Sequence, residues 1–344
     1  MTMLIKIAGY TKSIMKNVQR VAIIGAGVAG ISCARTLRAA GKSVTLFDKS
    51  TGPGGRTSHR LFEHWGADHG AQYFTAKGDL FKKEVNAWIK AGVIEPWLGK
   101  IVSINKKQIT EVDNLGQRYV GIPNMNSLAK YLAGDIPVML SHTISKIAKT
   151  EEGWILFSKE KGQHSKSFDL IVIAIPPKQA ESLLGSQLQS LSEICANASM
   201  LPCWTLISFF DKPIALPFDG AFIADSPFSW IARDNSKPGR SDSETWIAQA
   251  NHEWSKERVD MTNYQVESEL VPEFEKISGQ SCKLYQSHLW RYAKVENPQD
   301  QYFYLDPNRN LALCGDWFIE STIEGAWTSG YKLGNAISAM NAAS

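Results

Sequence analysis

At 344 residues, 44% hydrophobic and 21% charged, the chain has the composition of a soluble globular protein long enough for two domains. A formal net charge of +3 is too small to argue for nucleic acid or an anionic membrane surface, and no apolar run approaches the roughly 18 residues that cross a bilayer. Five cysteines (Cys33, Cys195, Cys203, Cys282, Cys314), scattered without CxxC spacing, point to reduced structural thiols in a cytoplasm rather than a disulfide framework or a metal site.

In chain order, residues 1–20 read as a basic tail, with Lys6, Lys12, Lys16 and Arg20 and no acid; Met15 would also serve as a start directly before the first strand. An apolar β-type run, Val21–Ile24, then turns through Gly25-Ala26-Gly27-Val28-Ala29-Gly30 into a helical pattern, Ile31–Ala40. A second β-type run, Ser43–Phe47, follows and ends at Asp48, 18 residues after Gly30. That order suits a dinucleotide. Gly25 permits the tight turn, Gly27 lets the backbone approach a pyrophosphate, and Gly30 allows close helix–strand packing. The helix N-terminus offers N–H groups to phosphate, and Asp48 is spaced to accept ribose hydroxyls. Gly54-Gly55-Arg56 comes next. A plain NAD site does not require it; in flavoproteins with this layout the arginine adds a cationic contact to the FAD pyrophosphate, so FAD is the expected ligand.

Leu61–Thr75 combines Asp68, Gly70, Gln72 and aromatic residues in a strand-like stretch that would run along the flavin ring. Leu80–Gly92 predicts an amphipathic helix with Phe81, Val85, Trp88 and Ile89 on one face. Short strands with turns at Gly99, Asn105 and Asp113-Asn114 fill Glu95–Tyr119, and Asn126 or Ser127 is the expected N-cap of the next helix. Val138–Lys149 and Gly153–Ser158 read as strands. Phe168–Ala174 is a near-continuous apolar strand, as inside a parallel sheet, stopped by Pro176-Pro177.

Lys178–Phe274 changes texture, with Trp204, Trp230, Trp246 and Trp254 in alternating runs, a polar stretch Asn235–Asp242 read as a surface loop, and a helix over Asn263–Phe274. Leu311–Asp316 returns to a buried strand, and Thr322–Gly330 opens a last helix whose small-residue start, Glu324-Gly325-Ala326, can point N–H groups at the pyrimidine end of a flavin. The expected architecture is α/β. It comprises a Rossmann-type FAD-binding domain from residues 21–76, 126–177 and 285–344, with a mostly antiparallel sheet plus helices from 77–125 and 178–284 capping the flavin.

Together GAGVAG, Asp48-Lys49, Gly54–Arg56, Ala67–Phe74 (ADHGAQYF), Cys314–Trp317 (CGDW) and Glu324–Gly330 (EGAWTSG) resemble the renalase family within the flavin-containing amine oxidase superfamily, from Val21 to about Ile337. Asp225–Arg240 and His288–Ala293 look most like its bacterial branch. The resemblance implies a two-domain, p-hydroxybenzoate-hydroxylase-like fold with FAD. It also implies oxidation of reduced nicotinamide isomers, 2- or 6-dihydro-NAD(P), with O2 reduced to H2O2. By position it places Ala29, Asp48, Lys49, Gly55, Arg56, Gly70, Ala71, Gln72, Tyr73, Ile144, Gly315, Asp316, Ile323, Glu324 and Gly325 against FAD, with Gln72, Tyr73, Phe74, Thr75 and Ala76 bordering substrate.

Hydride transfer to flavin N5 needs position rather than a nucleophile. No catalytic acid or base is therefore expected, and His64, His69 and His288 read as structural. Trp230 reads as core and Trp317 as a site wall, while Trp290 and Arg291 are substrate candidates, the arginine for a phosphate. With no second GxGxxG there is no separate NADPH domain, so the substrate itself would deliver the electrons. FAD is expected to be non-covalent, since no cysteine or histidine lies in a recognisable linkage motif. A flavin amine oxidase, which would want an aromatic cage and commonly a lysine near N5, is the enzymatic alternative, together with a polyene desaturase; a redox-responsive flavin-binding protein is the non-enzymatic one. Lys178, Lys237 and Lys294 sit in no motif tied to that lysine.

Overall fold

The computed structural model describes residues 18–106, 108–112 and 116–342. The basic tail, its alternative start at Met15 and the Asp113-Asn114 turn therefore lie outside the described residues, apart from Val18–Arg20. A six-stranded sheet carries the chain's first strand, Arg20–Ile24, at its middle, parallel to Leu170–Ile173 on one side and Ser43–Phe47 on the other. Leu311–Cys314 and Val138–Met139 extend it in parallel, and Phe303–Asp306 closes one edge antiparallel.

The inner strands Leu170–Ile173 and Leu311–Cys314, and Val21–Ile24 of the first, are wholly apolar because both faces are covered. Val21, Ile23, Leu170, Val172 and Cys314 pack on the side of the helices Val28–Ala39 and Ile323–Ala342. Ala22, Ile24, Ile171, Ile173 and Leu313 face Trp154 and Leu156 of the three-stranded meander 144–163, together with Ala180, Leu184 and Leu191. Those last three belong to the helices Pro177–Leu184 and Gln189–Ala196, so the double proline both stops the strand and, with Pro177 at the first helical position, starts a helix.

The two ends of the chain meet at backbone distance. A Cβ added at Gly330 of the last helix would run into the Ala29 carbonyl and stand 2.9 Å from the Cys33 nitrogen, and one at Gly334 would stand 2.6 Å from Thr36 Cβ. The Ser32 hydroxyl closes the crossing by donating to the Trp327 carbonyl at 2.8 Å.

The second sheet has seven strands in the order Leu284–Val295, Met200–Phe209, Thr245–Ala250, Phe228–Arg233, Gly220–Ile223, Ile101–Asn105, Gln108–Glu111. All pairs are antiparallel except Gly220–Ile223 with Ile101–Asn105. Residues 285–295, expected with the nucleotide half, thus belong to this sheet, because strand pairing overrides their place next to Leu311. One face packs Trp204, Leu206, Phe228 and Trp246 on the helix Asn263–Ser278, whose start carries a Thr262/Gln265 capping box. The other face turns Trp230 and Ala232 towards the first helix layer.

Two local expectations need correction. Met125, not Asn126 or Ser127, is the N-cap of the helix Asn126–Ala133. The stretch Asn235–Asp242 is not a plain surface loop, since Lys237 is buried within it, next to the buried Asp234 that precedes it.

All five cysteines are free, and burial pushes the Cys195 and Cys203 thiols up to about 12. No helix among the described residues is long and apolar enough to cross a membrane.

Candidate active site

The glycine turn answers directly to its three positions. Gly25 sits at φ 109°, and a Cβ there would stand 2.5 Å from the Ala174 carbonyl oxygen. A Cβ on Gly30 would collide with the Gly25 carbonyl and reach 3.2 Å from Ala174 Cβ. A Cβ on Gly27, by contrast, would meet nothing within 4 Å. Two glycines are therefore demanded by the protein's own packing, and the third opens onto free space at the start of the helix Val28–Ala39. Gly27 is that helix's N-cap and supplies no side-chain acceptor, so its first N–H groups remain available to an anion. Asp48 stands at the same mouth: Oδ2 accepts from the Ala26 N–H at 2.7 Å and Oδ1 from the Ser50 N–H at 2.8 Å, leaving lone pairs for hydroxyl donors. Gly54 donates to the Ala26 carbonyl at 2.8 Å, which lays the Gly54–Arg56 turn alongside the first one. These features fit a dinucleotide.

Arg56 makes a bidentate pair with Asp316, Nη1 to Oδ2 at 2.8 Å and Nη2 to Oδ1 at 2.5 Å, and also donates to the Ala293 carbonyl at 3.2 Å. Residues 260 positions apart in sequence are joined in one contact. The Gly315 N–H donates to Ser329 Oγ at 2.9 Å, tying the CGDW turn to the last helix.

The other expected cofactor residues take the following places. The Glu324 carboxylate accepts from the N–H groups of Lys77 and Gly78, each at 2.8 Å, pinning the chain at the start of the helix Asp79–Lys90. Neighbouring Ile323 is buried and Gly325 sits against the Glu320 carbonyl. Lys49 is exposed beside Asp48, Ala29 is buried under the last helix, and Ile144 opens the meander strand Ile144–Thr150. Trp317 is 1% exposed, stacked on Phe318 within the core beneath the sheet, and is a core residue rather than a wall of the site.

The segment 67–76 is clamped between the two sheets by buried charge. Asp68 accepts from the Met125 N–H at 3.1 Å, contacts His59 Nδ1 at 3.1 Å and forms a short ion pair with Arg240. Its own N–H donates to Asp234 at 3.3 Å. Lys237, whose side chain is fully buried, donates from Nζ to Asp234 Oδ1 at 2.7 Å and to Gln72 Oε1 at 3.0 Å. Gln72 in turn donates to the Asp68 carbonyl and, at 3.1 Å, to the Gly70 carbonyl. The Gln72 side chain thus points into this cluster, leaving its backbone for any ligand. Burial alone would raise the Asp68 carboxyl, but the His59 hydrogen bond and the Arg240 and Lys237 charges hold it at about 2. Gly70 packs against the Arg56 carbonyl, and Ala71 donates to it at 2.8 Å.

Beyond this cluster lies an aromatic wall. Tyr73 sits 5.5 Å from Trp230 and 6.1 Å from Trp97, and the Arg118 guanidinium lies 5.4 Å over its ring. Nε and Nη2 of Arg118 and Nε1 of Trp230 are buried without a hydrogen-bond partner among the described residues. Phe74 turns the other way, into Phe81 and Tyr119. Thr75 and Ala76 line a separate cavity. Strand alternation splits the Trp290-Arg291 pair: Trp290 donates to the His69 carbonyl at 3.0 Å, whereas Arg291 is exposed, 3.9 Å from Asp260. Sequence reasoning missed Arg118, Asp234 and Arg240; only the distinctive stretch Asp225–Arg240 hinted at the last two.

His69 and His288 pack edge to face at 4.9 Å, while His64 is exposed beside Glu63. Burial, then His288 and Arg60, pull His69 down to about 3, and burial with Arg60 pulls His288 to about 4. Both folded values lie below the unfolded one of about 6.5, so the neutral pair favours folding above that pH and the advantage is lost as pH falls towards 4. NMR titration should show neither imidazole protonating between pH 5 and 8, and thermal stability should drop from pH 6.5 to 4. An inflection near 6.5 for either ring would contradict its burial.

Comparison with known families matches residues 23–85 to an NAD(P)-binding Rossmann-like domain and residues 106–337 to flavin containing amine oxidoreductase. Among solved structures, a protein from Exiguobacterium sp. 255-15 described as a protoporphyrinogen oxidase aligns with a TM-score of 0.75 at 12% identity, over 94% of this chain and 99% of that one. Cyclohexylamine oxidase from Brevibacterium oxydans IH-35A aligns at 0.70 and 15% identity, over 94% and 99%. A putrescine oxidase variant aligns at 0.68 and 12%, over 94% and 100%. These likenesses are of fold. The family match, which spans more than half of the chain, shows that it belongs to the flavin-containing amine oxidoreductases: it is a flavin-dependent oxidoreductase, with FAD the cofactor the family implies.

Proposed function

We propose that the protein is an oxidase of renalase type, converting 2- or 6-dihydro isomers of NAD(P) to NAD(P)+ while O2 is reduced to H2O2. Per turnover the substrate gives up a hydride, and that electron pair, with its proton and one more from solvent, ends on O2. FAD, held non-covalently by the Gly25–Gly30 turn, Asp48 and the Arg56–Asp316 junction, supplies the hydride acceptor. The chain's own residues bind, orient and exclude water.

The observation that carries this reading is Arg118. An arginine in an aromatic wall, with Nε and Nη2 buried and without a hydrogen-bond partner among the described residues, favours a flat ring attached to phosphates and opposes an alkylammonium ion. One observation favours the alternative, amine oxidation: Lys237 is buried beside Gln72 and 5.8 Å from the Trp97 ring, a lysine among aromatics. Its ammonium, however, is already held by Asp234 and Gln72.

Anaerobic mixing separates the two. The yellow protein should be bleached within seconds by 2- or 6-dihydro-NAD and stay oxidised with primary amines, and acid precipitation should release its flavin into the supernatant. Bleaching by amines alone would reverse the order of the two readings.

A further inference from the structure

Behind Tyr73 the same segment runs on into a cavity of about 400 Å³ that the proposed reaction does not use. Thr75, Lys77, Lys82, Asn86, Gln117 and Tyr119 are among its lining residues. Its chemistry is mixed in a telling way, with two ammonium groups, two carboxamides, a hydroxyl and an aromatic ring. The lysines are only loosely engaged, Lys77 at 3.7 Å from Glu320 and Lys82 at 3.7 Å from Asp79. Such exposed pairs contribute little, so both cations can be exchanged onto an incoming anion. The floor is rigid. The Phe74 and Tyr119 backbones exchange N–H···O bonds of 2.9 and 2.8 Å, and Glu324 pins the N–H groups of Lys77 and Gly78. The wall and the cavity share two chain segments: Tyr73 precedes Thr75 by two residues, and Arg118 lies between Gln117 and Tyr119. Two residues of extended chain span about 7 Å.

We propose that this cavity is the subsite for the phosphate- and adenosine-bearing arm of a dinucleotide substrate, whose reactive ring lies against Tyr73 and Arg118. Lys77 and Lys82 take the phosphates, Asn86 and Gln117 the hydroxyl or base edges, and Tyr119 offers a ring face. The assignment rests on the dinucleotide reading above but concerns the half of the molecule that does not react.

ADP-ribose, which lacks nicotinamide altogether, is the probe, titrated calorimetrically into the FAD-loaded protein. It should bind. Lys82→Glu should weaken binding roughly five- to tenfold, Lys82→Arg should restore it, and the effect should shrink with added salt. Lys90→Glu carries the same change in net charge but sits eight residues along the helix, about 12 Å away, and should bind like wild type. Failure of the loaded protein to bind ADP-ribose, or equal losses in the Lys82 and Lys90 variants, would overturn the subsite. Binding that depends on Lys82, in a protein that no dihydronicotinamide bleaches, would instead retain the subsite and remove the proposed reaction.

Discussion

Gly27→Ala and Gly30→Ala, three residues apart in one turn, should fail in opposite ways. The Gly30 variant pushes a methyl group into the Gly25 carbonyl and against Ala174 Cβ, all backbone or short side chain that cannot step aside. Overpacking of this kind costs about 1–3 kcal/mol or more. The flavin-free protein should therefore melt lower and, with its turn displaced, bind little FAD. In Gly27→Ala the new methyl meets no protein atom within 4 Å. Flavin-free stability should stay near wild type while FAD uptake falls, because the methyl occupies the space through which a pyrophosphate approaches the backbone. Melting curves of both flavin-free variants, with flavin absorbance after reconstitution and desalting, make the comparison. Full FAD occupancy in Gly27→Ala would show that the phosphates do not pass over this turn.

Asp68→Ala should be the most damaging single side-chain loss. The carboxylate has no exposure and meets Arg240, His59 and the Met125 N–H, while the Arg240 side chain is 3% exposed. Removing Asp68 leaves the buried Arg240 charge with only the Gly121 and Pro238 carbonyls as acceptors and no counter-ion, and costs about 3–5 kcal/mol. In a chain of this size that is a fall of roughly 4–7 °C in Tm. The sign with pH follows: the folded carboxyl, at about 2, lies below its ordinary value, so its stabilisation is complete above pH 4 and fades as pH drops towards 2. Asp68→Ala should lose this acid-dependent component, and a wild-type-like melt at pH 7 would show that the Gly121 and Pro238 carbonyls alone suffice to hold Arg240.

Much of the nucleotide half was legible in the sequence. Strand, glycine turn, helix, strand and Asp48 are consecutive, and each step is decided by local backbone chemistry: positive φ at Gly25, contact at Gly30, an apolar run where both sheet faces are covered. That Leu311–Cys314 returns to a buried strand was equally readable from its four consecutive apolar residues, while its place beside Leu170–Ile173 came from the fold. The capping half was less so. The strand Leu284–Val295 joins the second sheet through Met200–Phe209, a pairing partner that no local feature of 285–295 names. Trp317 read as a wall from its place after Asp316, yet the 316–318 turn swings its ring onto Phe318.

From the residues alone, then, a Rossmann-type glycine turn, a following Gly-Gly-Arg turn and a returning Gly-Asp strand mark one flavoprotein scaffold. That Lys237 is buried on Gln72, that Arg118 stands over Tyr73 and that Glu324 pins the start of a helix 245 residues upstream follows only from the folded chain. The reason is physical. A glycine turn is specified by neighbours along the chain, whereas a buried charge is specified by the opposite charge it must meet, and that partner is chosen by how the sheets close, not by sequence distance.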